Sequence, residues 1–406
     1  MTQPSPRHFL NRARPPHMLT LIMLAGLSAL AMNIFLPSLP NMTVHFATDY
    51  RLMQLSVALY LGFNAVIQVL IGPVSDRFGR RPVILWGLVL FVLATLGCLL
   101  APTVEAFLFF RMCQAVAAVG MVLSRAAVRD MYDQDQAASM IGYVTMGMAV
   151  VPMLGPAVGG VLDAVLGWQA NFWLLALLGL LTLALTWADF GETAHKSGKT
   201  LLAQFREYPE LLGSPRFWGY SLACGFSSGA FFAYLGGAPF VGSEVFGLDP
   251  ARLGIYFGAP AMGYILGNYL SGRYSIRVGV NRMVLWGSLV CGIGVGLSLV
   301  LTAMGHATAE LFFGFMTFVG LGNGMTIPNA TAGALSVRPL LAGTASGLSG
   351  AIMLGGGAAL SALAGALLTP ETGALPLLGL MVLTSVLAVG SIAVVMLRER
   401  QLALAD

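Results

Sequence analysis

The feature that most limits how this chain can fold is a succession of apolar runs, each about 20 residues long, recurring from Leu19 to Leu397 with short polar breaks. About 20 helical residues cover the roughly 30 Å of a bilayer's hydrocarbon core. Backbone polar groups have no water there and must be satisfied internally. Runs this long and uniformly apolar achieve that as helices, not as the alternating strands of a barrel. The expected fold class is therefore all-α and membrane-spanning. Composition agrees, with 57% hydrophobic and 9% charged residues against about 25% charged in soluble domains. Spans read near 18–41, 52–74, 82–101, 104–126, 138–166, 169–189, 217–241, 252–272, 283–304, 308–333, 341–368 and 375–397, twelve in all.

An even number of spans puts both termini on one side. Assigning alternate loops then places eighteen of the 21 Lys and Arg on the terminus side, with only Arg51 and Arg252 opposite and Arg111 inside a span. That bias predicts cytoplasmic termini. The net charge of +4 is this topology signal and no sign of nucleic acid. The basic start "MTQPSPRHFLNRARPPH" reads as a retained cytoplasmic tail. Cys98, Cys113, Cys224 and Cys291 lie in apolar spans without CxxC spacing and read as small core residues.

The longest polar break, residues 191–216, divides the chain into six-span halves, 1–190 and 217–406. The halves echo each other: "GPVSDRFGRRPVILWG" follows the second span and "SGRYSIRVGVNRMVLWG" the eighth. Duplicated six-span halves around a central cavity are a transporter architecture, which predicts two pseudo-symmetric bundles. In the first of these loops a plain positive turn accounts for Arg77, Arg80 and Arg81 but not for Gly72, Asp76 and Gly79, so the segment is expected to be a gating loop.

These motifs carry a resemblance. "GPVSDRFGRRP" resembles the signature loop of the major facilitator superfamily, and "RMCQAVAAVG" its fourth-span motif. "PMLGPAVGGVLDAVLGWQANFW" resembles the fifth-span motif of its drug antiporters. With "FLPSLP" and "GLGNGMTIPNATAGAL", the chain is similar to the Bcr/CflA subfamily of bicyclomycin, chloramphenicol and florfenicol exporters. The resemblance implies a monomeric proton antiporter of the bacterial inner membrane. It also implies an Asp in the first span as the proton-coupling group near the fourth-span Arg. This chain has Asn33 at that place.

Arg111 stands in an apolar run with no acid near it on its helix face, a costly position for a cation. No carboxylate or imidazole falls near the midplane of any span, and an arginine cannot itself cycle a proton. Three explanations stay open: a natural replacement with coupling absent or relayed through Glu105 or Asp163, an introduced change that imitates a protonated acid, or a ligand that supplies the partner. A plain structural alternative has Arg111 reaching the periplasmic surface.

Residues at helical spacing are expected to line the cavity with Asn33 and Arg111: Tyr60, Asn64 and Gln68 in the second span and Gln114 in the fourth. The second half offers Phe231, Phe232 and Tyr234, then Tyr256, Tyr264 and Asn268. Gly155, Pro156, Gly159 and Gly160 read as a close-packing gate facing a helix of the other half. Without a buried acid, the expected substrates are neutral or weakly anionic drug-sized amphiphiles. An uptake carrier for a nucleoside or amino acid, or a transport-incompetent receptor or scaffold, are the alternatives. No Walker loop, metal-spaced cluster or carboxylate pair is present, so neither enzymatic activity nor a cofactor or metal is expected.

Overall fold

The computed structural model describes residue 10 and residues 15–131, 151, 154–193, 208–338 and 342–403, and every structural statement below is made of these. Nine helices are long and apolar enough to cross a membrane. The shorter Leu154–Leu166 and the long helices Pro215–Phe240 and Ala259–Val278 complete the expected alternation. In chain order the spans are Met18–His45, Tyr50–Phe78, Arg80–Leu100, Val104–Met131, Leu154–Leu166 and Gln169–Asp189, then Pro215–Phe240, Pro250–Val278, Val280–Ala303, Ala309–Ser336, Ala342–Leu367 and Leu375–Ala403. Most of the linker, residues 194–207, lies outside the described residues, as does most of the first half of the expected fifth span, 138–150 with 152 and 153.

The breaks between helices follow local chemistry. Thr103, Ser214, Asp249 and Thr308 each accept a backbone N–H in the first turn of the helix they precede. The second and eighth spans both end at a glycine with positive φ, Gly79 at 95° and Gly279 at 89°, from which the next span starts at once.

Helix pairs repeat between the halves. The first span packs on the fourth and the seventh on the tenth; the third packs on the sixth and the ninth on the twelfth. The two bundles meet where the second span lies along the eleventh and where the fifth approaches the eighth. A Cβ on Gly254 would stand 2.5 Å from the Pro156 carbonyl oxygen.

Two spans that pack on each other each lose α-helical regularity for a few residues. The first passes through a 3-10 turn at Leu36–Ser38, with Pro37 removing a backbone donor, before resuming as Leu39–His45. The fourth does the same at Ala115–Ala117. Arg111 and Gln114 lie immediately before that second interruption.

Candidate functional site

Arg111 is fully buried, so it does not reach a surface. Its Nη2 donates to the Ala31 carbonyl at 2.9 Å, and its Nη1 donates to Gln114 Oε1. The guanidinium carbon lies 4.2 Å from the centre of the Phe35 ring and 4.1 Å from that of Tyr60. Two π faces, one carbonyl and one amide oxygen thus answer the charge where a carboxylate is absent. Gln114 is held in turn, its Nε2 donating to Thr95 Oγ1 at 2.8 Å, and Thr95 donating to the Phe91 carbonyl at 2.7 Å. Arg111 Nε is the guanidinium nitrogen left without a hydrogen-bond partner.

Asn33 does not join this group. Its Nδ2 donates to Ala29 of its own helix at 2.8 Å. Ala31 and Phe35 are one turn apart and face Arg111. Asn33 lies between them in sequence and so projects to another face, where a Cβ on Gly155 would stand 3.9 Å from its own. Its Oδ1 is buried without a partner. The amide and the guanidinium therefore share a helix crossing but no direct contact.

Asn64 is buried, and Gln68 Nε2 donates to its Oδ1 at 3.1 Å. Tyr60, Asn64 and Gln68 thus form the expected stripe, with Arg111 at its upper end. In the second half, Phe231 stacks on Tyr234 with centroids 6.3 Å apart, and Tyr234 meets Phe257 at 4.9 Å. Phe232 instead packs on the eleventh span at Gly357. Tyr256 stacks on Phe313 at 5.2 Å, and its hydroxyl donates to Glu310 at 3.0 Å at the rim of the bundle, away from the Arg111 group. Asn268 donates to the Tyr264 carbonyl of its own helix at 2.8 Å.

The expected gate divides in two. Gly155 and Gly159 do not face the other half: a side chain on Gly155 would meet Leu30, and one on Gly159 would run into the Ile34 carbonyl, both of the first span. Gly160 and Pro156 make the cross-half approach, against Pro250 and Gly254. The physical reason is helical spacing. Gly155 and Gly159 are four apart and share a face, while Gly160 lies about 100° round the helix. Beyond Gly159 the same seam turns polar. Asn41 Nδ2 donates to Asp163 at 2.9 Å, and Asn171 Nδ2 donates to Ser38 at 2.9 Å.

On the terminus side, Arg80 Nε pairs with Asp130 at 3.2 Å and its guanidinium also bonds Ser75. Arg81 donates to the carbonyls of Phe190 at 2.8 Å and Trp187 at 3.0 Å. Glu192 accepts the backbone N–H groups of Arg80 and Arg81, sitting at the N-terminus of the third span. The motif thus anchors the second-to-third corner to the fourth and sixth spans. Arg77 lies over the Phe78 ring at 5.4 Å. The surroundings of Gly72 and the side chain of Asp76 lie outside the described residues.

Comparison with known proteins decides the family. The model of the Major Facilitator Superfamily matches residues 21–362. The chain belongs to that superfamily. It is 30% identical to Multidrug resistance protein D of Escherichia coli (strain K12), over 88% of this chain and 89% of that one. It is also 30% identical to the Chloramphenicol resistance protein of Pseudomonas aeruginosa, over 81% of this chain and 79% of that one. An uncharacterized MFS-type transporter, YdgK of Bacillus subtilis (strain 168), is 30% identical over 91% and 92%. Among solved structures, a bacterial homolog to the human lysosomal transporter Spinster, inward-facing and occupied, superposes with a TM-score of 0.70. At 17% identity it covers 94% of this chain and 96% of its own, a likeness of fold. This superfamily member is a multi-pass membrane transporter and not an enzyme, and the motif resemblance to drug exporters agrees with the names its relatives carry.

Phe35, Gln54 and Thr95 were not among the residues expected from sequence. Phe35 had a usable signal, one turn beyond Ala31 on the interrupted first span. Gln54 is an amide placed early in an apolar run, and Thr95 carried no signal.

Proposed function

We propose that this chain exports small uncharged or weakly anionic amphiphiles from the cytoplasm across the bacterial inner membrane. Its two bundles rock around a central site, it acts as a monomer, and both termini are cytoplasmic. The observation that carries the reading is the Arg111 group: a buried cation balanced by rings and neutral oxygens, with its Nε left without a hydrogen-bond partner. That spare donor suits a substrate carbonyl or carboxylate. No acid stands by it to hold a permanent cation. Phe231 and Tyr234 supply aromatic area on the second half. Names of relatives that include chloramphenicol and bicyclomycin resistance support the substrate class.

Residue 33 offers no titratable group, so any drive by protons acts through another residue. The test uses proteoliposomes containing the chain or its Asn33→Asp variant, loaded with a phenicol, with and without an imposed pH gradient. The parent is expected to exchange substrate without a gradient, and the variant to gain gradient dependence. Robust export of a quaternary ammonium compound by the parent would overturn the substrate class. Accumulation of phenicol by cells expressing the chain would overturn the direction.

A further inference from the structure

Gln54, near the end of the second span remote from the chain termini, is almost fully buried at 1% exposure, and its side-chain hydrogen bonds cross to the other half of the molecule. Its Nε2 donates to the Ser361 carbonyl at 2.5 Å and to Ser361 Oγ at 2.9 Å, on the eleventh span. The walls around the amide are glycines. A Cβ on Gly236 of the seventh span would stand 2.5 Å from Gln54 Nε2, and one on Gly365 of the eleventh would stand 2.5 Å from Gln54 Oε1. The socket exists because these two positions lack side chains. One turn before Gln54, Tyr50 makes the same crossing, its hydroxyl donating to the Gly236 carbonyl at 3.0 Å and its ring 5.1 Å from that of Phe240.

We propose that Gln54 is the pin of the gate on the side opposite the termini: its amide must leave the Gly236–Ser361–Gly365 socket before the bundles can part there. The inference rests on the reading of the chain as an alternating-access carrier. The bonding pattern suits a latch that has to release. The amide nitrogen is doubly engaged, but Oε1 is buried with no partner and gains a hydrogen bond from water on leaving. The pin is held by its donors and pushed out by its acceptor, so closed and open states stay near balance. Hydrophobic packing alone, with an apolar residue in the slot, would favour the closed state without this counterweight. Gln54 is a positioning residue and touches no transported molecule.

The test uses the full chain with its four cysteines replaced, carrying Ala358→Cys, which faces Gly62 across the same seam, as a reporter that a membrane-impermeant maleimide reaches only from the side opposite the termini. Gln54→Ala is expected to speed labelling about tenfold, and Gly365→Ala, which fills the socket, to do the same. In a second cysteine-replaced chain without the reporter, a short bis-methanethiosulfonate reagent that joins Gln54→Cys to Ser361→Cys through disulfides is expected to abolish phenicol exchange, with exchange restored by reduction. Unchanged labelling in Gln54→Ala and Gly365→Ala would overturn the proposal, as would full exchange by the cross-linked carrier. Should Gln54→Ala fail to insert, the cross-linked pair decides alone. If labelling shifts as expected while the parent exchanges no phenicol, the gate stands and the exporter reading falls; phenicol exchange with labelling unmoved has the reverse meaning.

Discussion

The Arg111 guanidinium carbon lies 4.1 Å from the centre of the Tyr60 ring, so a residue of the second span carries part of the charge balance of the fourth. The ring offers attraction without a second ion, and burial strengthens it because little water competes. Tyr60→Leu keeps an apolar side chain, smaller than the ring, and removes the π face. It is expected to lower stability by about 2 kcal/mol, read as a lower Tm of the purified carrier, while Tyr60→Phe stays near the parent. Equal Tm values for Leu and Phe would show that the ring only fills space.

Arg111→Lys keeps the charge but loses the planar fork that reaches Ala31 and Gln114 together. Substrate exchange in vesicles is expected to fall at least about tenfold, the factor that about 1.4 kcal/mol represents, with membrane insertion unchanged. Exchange at the parent rate would mean that a point charge suffices.

Gly155 and Gly159 face the same helix but differ in what they face. A methyl at Gly155 meets the end of a Leu30 side chain at 3.2 Å, which can turn aside; one at Gly159 meets the Ile34 backbone oxygen, which cannot. Gly159→Ala should therefore cost about 1–3 kcal/mol of overpacking and depress both Tm and transport, while Gly155→Ala changes little. Comparable losses in the two variants would argue against the first-to-fifth seam.

Asp189, at the end of the sixth span, accepts the backbone N–H of Leu10 at 2.9 Å and of His17 at 2.8 Å, and the Thr20 hydroxyl at 2.6 Å. Asp189→Ala removes the acceptor for all three and is expected to cost about 1–3 kcal/mol. The backbone amides of Leu10 and His17 should then exchange hydrogen about fivefold faster or more, as local opening becomes easier. Unchanged exchange at these two amides would show that they are held by other means.

The twelve spans could be read from the chain because hydrocarbon imposes one length and one backbone solution on every crossing. The Tyr60–Asn64–Gln68 stripe was equally readable, since helical spacing alone puts those side chains on one face. The partners of Arg111 were harder to see. Nothing in the local sequence says that Phe35, just before the proline turn at Leu36–Ser38, meets a guanidinium 76 positions away, because that contact depends on how two helices cross. Gly155 and Gly159 depart from the expectation for a related reason, since a glycine motif announces that something approaches closely without saying which helix does, while Gly160 and Pro156 do meet the other half.

Gly79 and Gly279 give both halves the same corner, and a carboxylate stands beside each. Glu192, where the strap between the bundles begins, accepts the Arg80 backbone N–H at 2.8 Å. At the other end of the strap Arg216 binds Glu399 at 2.7 Å, and Glu399 accepts from Asn281 at 2.5 Å. Each end of the covalent connection is therefore moored to one corner, so a displacement of either corner is felt at an end of the strap.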